Sequence, residues 1–169
     1  MITLVCGLSK SGKSTLIAEG ELAKIPADHI KASSLLRSFD RPTVDMKACD
    51  VIDNQEIVVD WLTRSLKSNP RSVILDGHLM IETLDGPQLV PDAILKKLPI
   101  TKVIYIHNEP EIVANRRVGL PLSRSVPEIG DLMAIEERQA TRFARQIGAP
   151  LSTFSANDVF AFRTALRGS

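Results

Sequence analysis

The chain has 169 residues, of which 44% are hydrophobic and 24% charged, and its formal net charge is +1 at pH 7. This length suits one domain with a buried core, and the small net charge gives no reason to expect DNA binding or a membrane surface site. Two cysteines provide no disulfide framework. The sequence has no apolar run of membrane-spanning length and no basic leader, so we expect a cytoplasmic protein.

The first predicted element is a buried parallel strand over residues 2–6, followed by GLSKSGKS at residues 7–14. These eight residues match G-x-x-x-x-G-K-[ST], and a predicted helix over residues 13–24 follows them. Strand, glycine loop and helix in this order form a phosphate loop, in which backbone N–H groups and a helix N-terminus face an anion. The motif predicts a site for the phosphates of a nucleoside triphosphate, formed by Gly7, Ser9, Lys10, Ser11, Gly12, Lys13, Ser14 and Thr15.

Two side chains of the phosphate loop have expected chemical roles. Lys13 reaches the β- and γ-phosphates, and the Ser14 hydroxyl suits Mg²⁺. A chance glycine turn is the alternative interpretation, and the strand and helix on either side argue against it. A Rossmann dinucleotide site is disfavoured because the loop is not G-x-G-x-x-G.

The next segment combines a short predicted strand with a long predicted helix. We expect a strand at residues 29–31 and a helical turn around Leu36. Residues 38–52 are expected to be irregular. Asp53 begins a capping-box pattern, which predicts an amphipathic helix from there to about Ser68.

A buried strand over residues 73–75 places Asp76 at its carboxyl end, where open α/β sheets bind ligands. Beside the phosphate loop, Asp76 is expected to hold a Mg²⁺-bound water, and a plain strand-end carboxylate is the alternative. His78 suits a ligand contact and, equally, a histidine that holds a backbone group.

The rest of the chain continues the alternation of strands and helices. We expect a loop over residues 79–99 that ends in a short helix at 92–97. The further predicted elements are strand 102–107, helix 110–117, helix 129–147, strand 150–154 and a last helix capped by Asn157. The pattern predicts an α/β fold with three layers: a doubly wound, five-stranded parallel sheet between helices, in a single domain.

Arginines surround a segment that interrupts this alternation. Residues 119–127 contain Gly119 and two prolines, Arg116 and Arg117 precede them, and Arg124 lies within them. A mobile loop with arginines at its base and tip suits closure over phosphates. Further along the chain, one face of the long helix carries Arg138, Arg142 and Arg145, which is typical of a solvated face.

These motifs resemble the adenylate kinase-like nucleoside monophosphate kinases, above all the small archaeal-type adenylate kinases. The resemblance follows the family's order and covers nearly the whole chain. It is carried by GLSKSGKST, HIKASSLLR (residues 29–37), ILDGH (residues 74–78) and IVANRR (residues 112–117) with Arg124 beyond it. It implies a P-loop NTPase fold of nucleotide-kinase type, an acceptor-binding insertion at about 31–70 and a short lid at about 117–127.

The resemblance also implies roles for particular residues. Lys13 and the loop backbone would hold the ATP phosphates, and Ser14 with Asp76 would serve Mg²⁺. Catalytic charge stabilisation would come from arginines: Arg116 or Arg117 against ATP, Arg124 on the transferring group, and Arg138 beside it. The acceptor would contact Ser34, Arg37, Asp76 and His78, with Arg37 on its phosphate.

The first interpretation is therefore an ATP- and Mg²⁺-dependent phosphotransferase that acts on a nucleoside monophosphate. Ala32 and Ser34 replace a Thr and an Asp of the family at the acceptor site, so the acceptor itself stays open. A second interpretation keeps the kinase fold with a non-phosphorylated hydroxyl acceptor: a sugar, a shikimate-like compound or a nucleoside. A third is an ATP-binding or ATP-hydrolysing switch or assembly factor with a macromolecular partner.

Overall fold

The computed structural model describes residues 1–19, 25–121 and 123–167. The elements in chain order are β1 (Ile2–Cys6), α1 (Lys13–Glu19), β2 (Ala27–Lys31), α2 (Ala32–Ser38), α3 (Ala48–Ser68), β3 (Ser72–Asp76), β4 (Met80–Thr83), β5 (Gly86–Leu89), α4 (Asp92–Leu95), β6 (Ile100–His107), α5 (Pro110–Asn115), α6 (Val126–Ile147), β7 (Leu151–Ser155) and α7 (Val159–Arg167).

Five strands form one parallel sheet in the order β2-β3-β1-β6-β7. The central strand β1 pairs Leu4 with Leu75 of β3 on one side and with Val103 of β6 on the other. The chain fills one side of β1 first and then the other, which makes the sheet doubly wound. The fold class predicted from the sequence is confirmed.

Helices cover both faces of this sheet. Leu4 and Cys6 of β1 join a core cluster that includes Val58 of α3 and Phe143 of α6. Val5 points to the opposite face, into a second cluster formed with residues of α1 and α7. Because residues of β1 are buried on both faces of the sheet, the strand is apolar apart from the partly buried Thr3.

Helix α3 begins earlier than the capping-box pattern at Asp53 predicts. It starts at Ala48, and Asp50 accepts the backbone N–H of Lys47 at 2.9 Å in its first turn. The extra turn brings Val51 into the buried face. Asp53 lies within the helix, exposed and 3.6 Å from Arg41. The earlier start is favoured because it buries one more apolar side chain.

The expected loop after β3 contains a β-hairpin. Strands β4 and β5 pair antiparallel, with Thr83 opposite Gly86. Asp85 in the turn accepts the backbone N–H of Ala48 at 2.9 Å, and Leu84 donates its backbone N–H to Met46 at 2.9 Å. The turn thus caps the start of α3. The Gly86–Pro87 pair argued against a strand in the sequence, but an edge position in a two-stranded sheet accommodates proline.

Several element ends differ slightly from the expectations. Helix α6 begins at Val126 because Glu128 accepts the Ser125 backbone N–H at 2.9 Å in a capping box. Helix α5 ends at Asn115, α4 ends at Leu95, and α7 begins at Val159, after Asp158 rather than directly after Asn157. Residues 20–24 of the first predicted helix lie outside the described residues. In the described parts of the chain, no helix is both long enough and apolar enough to cross a membrane.

Candidate active site

The candidate site lies where β1, β3 and β6 end at the carboxyl edge of the sheet. The phosphate loop follows β1, Asp76 is the last residue of β3, and Asn108 follows β6. The Asn108 side chain donates to the carbonyl of Ser11 at 3.0 Å, which links the loop to the neighbouring strand end. This edge is the usual ligand position of an open α/β sheet.

Two glycines are required by the shape of the phosphate loop. Gly7 has φ 148°, and a Cβ there would lie 2.2 Å from the carbonyl oxygen of Ile106. Gly12 has φ 109°, and its Cβ would lie 2.9 Å from the Cβ of Ala156. Any side chain would therefore push the loop away from β6 and β7, and its N–H groups would lose their arrangement.

Lys13 is buried at the first turn of α1, with its ammonium group held over the loop. Nζ donates to the carbonyls of Gly7 at 2.6 Å and Leu8 at 3.1 Å, and it lies 3.2 Å from His78 Nε2. Burial lowers the pKa of Lys13, and the charges of Asp76 and Glu136 oppose that effect. The lysine is thus placed at the loop, as the motif predicts.

His78 is a neutral imidazole beside this lysine. Burial, followed by the positive charge of Lys13, lowers the pKa of His78 to about 3. Because an ammonium group only donates, Nε2 of His78 acts as the acceptor in their contact. The histidine therefore contacts a side chain of the phosphate loop.

Ser14 and Asp76 face each other across the two strand ends. The Ser14 hydroxyl donates to Asp76 Oδ2 at 2.8 Å, and His29 Nε2 lies 3.7 Å from the same oxygen. Burial alone would raise the pKa of Asp76, but hydrogen bonds from His29 and Ser14 and the charge of Lys13 hold it below its usual range. Asp76 is therefore a carboxylate at neutral pH.

The Ser14–Asp76 pair fits Mg²⁺ in donor chemistry. A hydroxyl and a carboxylate oxygen 2.8 Å apart are the hard oxygen donors that Mg²⁺ prefers, usually together with waters and phosphate oxygens. Within the described residues there is no cluster of three or more His, Cys, Asp or Glu side chains that could hold a metal ion. The pair therefore suits an ion that arrives with a nucleotide rather than a site formed by protein ligands alone.

The two consecutive arginines after α5 donate to neighbouring carbonyls of the phosphate loop but differ in burial. Arg116 is exposed, donates to the carbonyl of Lys10 at 3.2 Å and lies near Gly12. Arg117 is 4% exposed and donates to the carbonyl of Ser9 at 2.9 Å. Its guanidinium also forms an ion pair of 2.7 Å with Glu82 of β4. Only Arg116 of the two is therefore open to solvent.

Arg124 lies close to this ion pair. It is 3.9 Å from Glu82 and 3.6 Å from Glu128 at the start of α6. Glu82 therefore faces two arginines, and it connects the hairpin with the segment predicted as a lid. The sequence analysis assigned no role to Glu82, because the hairpin that positions it was not predicted.

Three predicted site residues, Ser34, Arg37 and Arg138, lie apart from this cluster. Arg37 is exposed and bonded to the exposed Ser34, its NH2 group 3.0 Å from the hydroxyl. Arg138 is exposed on α6, where it lines a shallow surface groove with Arg142 and Arg145. The solvated-face interpretation thus describes the position of Arg138. Thr15 is also exposed, one residue beyond Ser14.

A cavity of about 320 Å³ opens beside the phosphate loop. Leu8, Ser9, Lys10, Gly77 and His78 form its wall on the loop side. Its other walls are mainly apolar and come from α2, α3, the hairpin and the segment after α4, including Leu36, Val58, Met80, Ile81 and Leu98. Among its polar lining groups is the amide of Gln55, which is 9% exposed.

Glu136 of α6 is a buried carboxylate behind the phosphate loop. Its Oε1 accepts the backbone N–H of Gly7 at 3.1 Å and of Leu79 at 2.9 Å. Burial raises the pKa of Glu136 to about 7, although these hydrogen bonds and the charge of Lys13 oppose the rise.

The sequence analysis did not identify Glu136. One signal was present: this acidic residue occupies a position on the apolar stripe of the helix, together with Ile129, Leu132, Met133, Ala140 and Phe143. An acidic side chain among buried apolar positions indicates a partner or a function.

The comparison with known families gives a match over most of the chain. The family described as "AAA domain" matches residues 6–142, which include the phosphate loop, Asp76 and both arginines after α5. The chain belongs to the AAA domain family. No protein among those with curated functions matches this AAA-domain chain.

The solved structures include a match to the fold of this AAA-domain chain. The crystal structure of shikimate kinase from Aquifex aeolicus superposes with a TM-score of 0.59 at 14% sequence identity, covering 99% of this chain and 97% of that one. The chain thus has the α/β P-loop kinase fold. Family, fold and phosphate loop together support an ATP-dependent kinase, as the sequence predicts.

Proposed function

We propose that the chain transfers the γ-phosphoryl group of ATP to a small molecule bound in the cavity beside the phosphate loop, which we call the acceptor cavity. The observation that carries this proposal is the position of the cavity: its wall includes Ser9 and Lys10 of the phosphate loop and His78, which contacts Lys13. A molecule in the cavity would therefore lie next to the phosphate end of a nucleotide held by the loop.

The transfer needs positioning and charge neutralisation more than covalent chemistry. An acceptor oxygen forms the new bond to the γ-phosphorus, and a hydroxyl acceptor releases its proton to water. The bond from that phosphorus to the β–γ bridging oxygen breaks, and ADP leaves. Lys13 and the loop N–H groups hold the phosphates in line with the acceptor. Mg²⁺, held through Ser14 and Asp76, would neutralise phosphate charge when bound.

The arginines have proposed roles that differ in position. Arg116 is exposed beside Gly12, which supports a contact with ATP phosphates. Arg117 shapes the loop and the cavity wall through Ser9 and Glu82. Arg124 would stabilise the transferring group after exchanging its contacts with Glu82 and Glu128. We assign no catalytic role to Arg138, because it faces the surface groove.

The cavity favours an acceptor that carries no phosphate. Among the described residues that line it, only Lys10 and Arg117 are cationic, and Arg117 is already paired with Glu82. Arg37, which the kinase resemblance places on an acceptor phosphate, is outside the lining and bonded to Ser34. Lys10 belongs to the phosphate loop and is expected to face the phosphates of ATP, so a dianionic acceptor phosphate would lose its hydration here with little compensating positive charge. We therefore propose a hydroxyl compound with a largely apolar body, such as a nucleoside.

A nucleoside monophosphate is the second candidate. It is favoured by the resemblance of HIKASSLLR to the family's acceptor segment and by the helix that carries this segment. In α2, Leu36 lines the cavity while the neighbouring Arg37 does not. Because consecutive helical residues point about 100° apart, an acceptor phosphate would reach Arg37 only after a rearrangement of α2 or of the arginine side chain.

Two segments are proposed to form the acceptor side of the domain. Residues 31–70 supply lining side chains from α2 and α3, including Ser33, Val51 and Val59. The segment at 117–127 supplies Leu120 and Pro121. This arrangement supports an acceptor-binding insertion and a short lid within a single kinase domain.

The test is an acceptor panel with ATP and Mg²⁺, read as ADP release and as phosphorylated product. The panel contains nucleosides, sugars and shikimate, together with the matching nucleoside monophosphates. We expect turnover with a hydroxyl compound. Turnover with nucleoside monophosphates alone would overturn the proposal of an acceptor without a phosphate, but it would leave the proposed kinase activity in place. ATP hydrolysis that no small acceptor stimulates, but a macromolecule does, would indicate the switch or assembly factor.

A further inference from the structure

We propose that Glu136 is a positioning residue of the nucleotide site: one carboxylate oxygen holds the first residue of the phosphate loop and the residue after His78 at a fixed separation. This role rests on the proposed function, because it concerns how the loop is prepared for ATP. It goes beyond that function in assigning the preparation to a side chain of α6, far along the chain from the loop.

The contacts form a closed ring around Lys13. Glu136 Oε1 accepts from Gly7 N–H, and the carbonyl of Gly7 accepts from Lys13 Nζ at 2.6 Å. Lys13 Nζ contacts His78 at 3.2 Å, and the next residue, Leu79, donates its N–H back to Glu136 Oε1 at 2.9 Å. Each bond limits the freedom of the next, so displacement of the carboxylate would release the loop and the lysine together.

The protein retains this carboxylate despite the cost of its burial. Glu136 is 0% exposed, and its second oxygen, Oε2, is buried with no hydrogen-bond partner among the described residues. An apolar side chain would suit this interior better if packing were the whole role. Its bonds instead satisfy two backbone donors on two separate segments, which leucine or methionine would leave unpaired.

The position of Glu136 on α6 also connects the loop with the proposed lid. The helix begins at the Ser125–Glu128 capping box, where Arg124 contacts Glu128 at 3.6 Å. Glu136 lies about three helical turns further along the same helix. One rigid element thus carries the base of the lid and the group that fixes the loop.

Three variants and one control test the role. Glu136→Gln keeps an oxygen that accepts both N–H groups, Glu136→Ala removes it, and Glu136→Met removes it while filling most of the space. The control is Gln139→Ala, because Gln139 is also buried on α6, at 4% exposed, but bonds to Asp92 rather than to the loop. Circular dichroism and thermal unfolding identify any variant that does not fold, and the other variants then carry the test.

The measurement is ATP affinity by calorimetry without an acceptor, followed by KM and kcat with the best acceptor. We expect Glu136→Ala and Glu136→Met to weaken ATP binding about tenfold or more, as lost supporting contacts do at other sites. The ATP affinity of Glu136→Gln should stay within about threefold of that of the unsubstituted chain. The ATP affinity of Gln139→Ala should equal that of the unsubstituted chain. The acceptor KM should change little in all four variants.

Two outcomes would overturn the role. The first is equal ATP affinity in Glu136→Met and Gln139→Ala. The second is a Glu136→Gln variant that binds ATP as weakly as Glu136→Ala, because the side-chain oxygen that accepts the two N–H groups would then have no effect on ATP binding. Both outcomes can be distinguished from the case in which the proposed kinase function is wrong. In that case the unsubstituted chain would bind ATP without transferring phosphate to any acceptor, and the affinity comparison would still decide the role of Glu136.

Discussion

The phosphate end of the site and the acceptor cavity are built in different ways. The phosphate end consists of backbone groups and a few charged side chains at adjacent strand ends, with Lys13, Ser14 and Asp76 within 4 Å of a partner. The cavity consists mainly of apolar side chains from helices α2 and α3, the hairpin and the segments after α4 and α5. Phosphates need a fixed set of donors, whereas an acceptor is selected by the shape of its pocket.

The two regions should therefore respond differently to substitution. Changes at the phosphate end should reduce turnover with any acceptor, and changes in the cavity should alter acceptor KM with little effect on ATP.

Lys13→Ala should reduce kcat by about 10³-fold or more, because it removes a preorganised positive charge from the transferring phosphates. Steady-state ADP release measures the effect. Lys97→Ala is the matched control, since Lys97 is a surface lysine paired with Glu56 at 2.7 Å. Turnover in Lys13→Ala close to that of the control would contradict the role of the phosphate end.

Glu136→Gln should change how stability depends on pH. The folded chain raises the pKa of Glu136 to about 7, so it binds more protons than the unfolded chain between the ordinary glutamate pKa of 4.5 and 7. Stability from this group is then lost as pH rises through that window, by about 3 kcal/mol at most. The Glu136→Gln variant has no carboxyl group at this position and therefore does not lose this stability as the pH rises.

Denaturant unfolding of both chains at pH 4.5 to 7.5 measures this prediction. The variant should gain stability relative to the unsubstituted chain as pH rises. His78 has the opposite effect, because its lowered pKa costs stability as pH falls below about 6.5, but it contributes equally to both chains. A difference in unfolding free energy that stays constant over this range would contradict the pKa shift.

Gln55→Ala should raise the acceptor KM about tenfold and leave the KM of ATP unchanged, because it removes one polar contact from an apolar cavity. Initial rates with each substrate varied in turn separate the two constants. An equal rise in both would place Gln55 outside a dedicated acceptor site.

Arg37→Ala should change the acceptor KM by less than about threefold, since a surface hydrogen bond to Ser34 contributes little. The same kinetic measurement applies. A rise of tenfold or more confined to the acceptor would favour the nucleoside monophosphate and bring Arg37 into the site.

The sequence was most informative where a function depends on residues close together in the chain. The phosphate loop, the strand that ends at Asp76 and the alternation of elements are all local patterns, and the five-stranded parallel fold predicted from them is confirmed. Asp76 and Ser14 come together because parallel strand ends meet at one edge.

The remaining parts of the site depend on packing between distant segments. Arg138 and Glu136 are two residues apart on α6, yet one faces a surface groove and the other contacts Gly7. The family resemblance implied a role for Arg138. For Glu136, the only signal in the sequence was its position on the apolar stripe of the helix. The hairpin was missed because Gly86 and Pro87 disfavour a strand, and Glu82 was missed with it.

The capping of α3 by the hairpin turn has a consequence for selectivity by size. Ala48 donates to Asp85 and Leu84 donates to Met46, so the hairpin and the start of α3, which both contribute lining residues, are bonded to each other. A bulky molecule could separate these two elements only by breaking both hydrogen bonds and uncapping the helix. We therefore expect a larger molecule to gain its space by displacing other parts of the cavity lining.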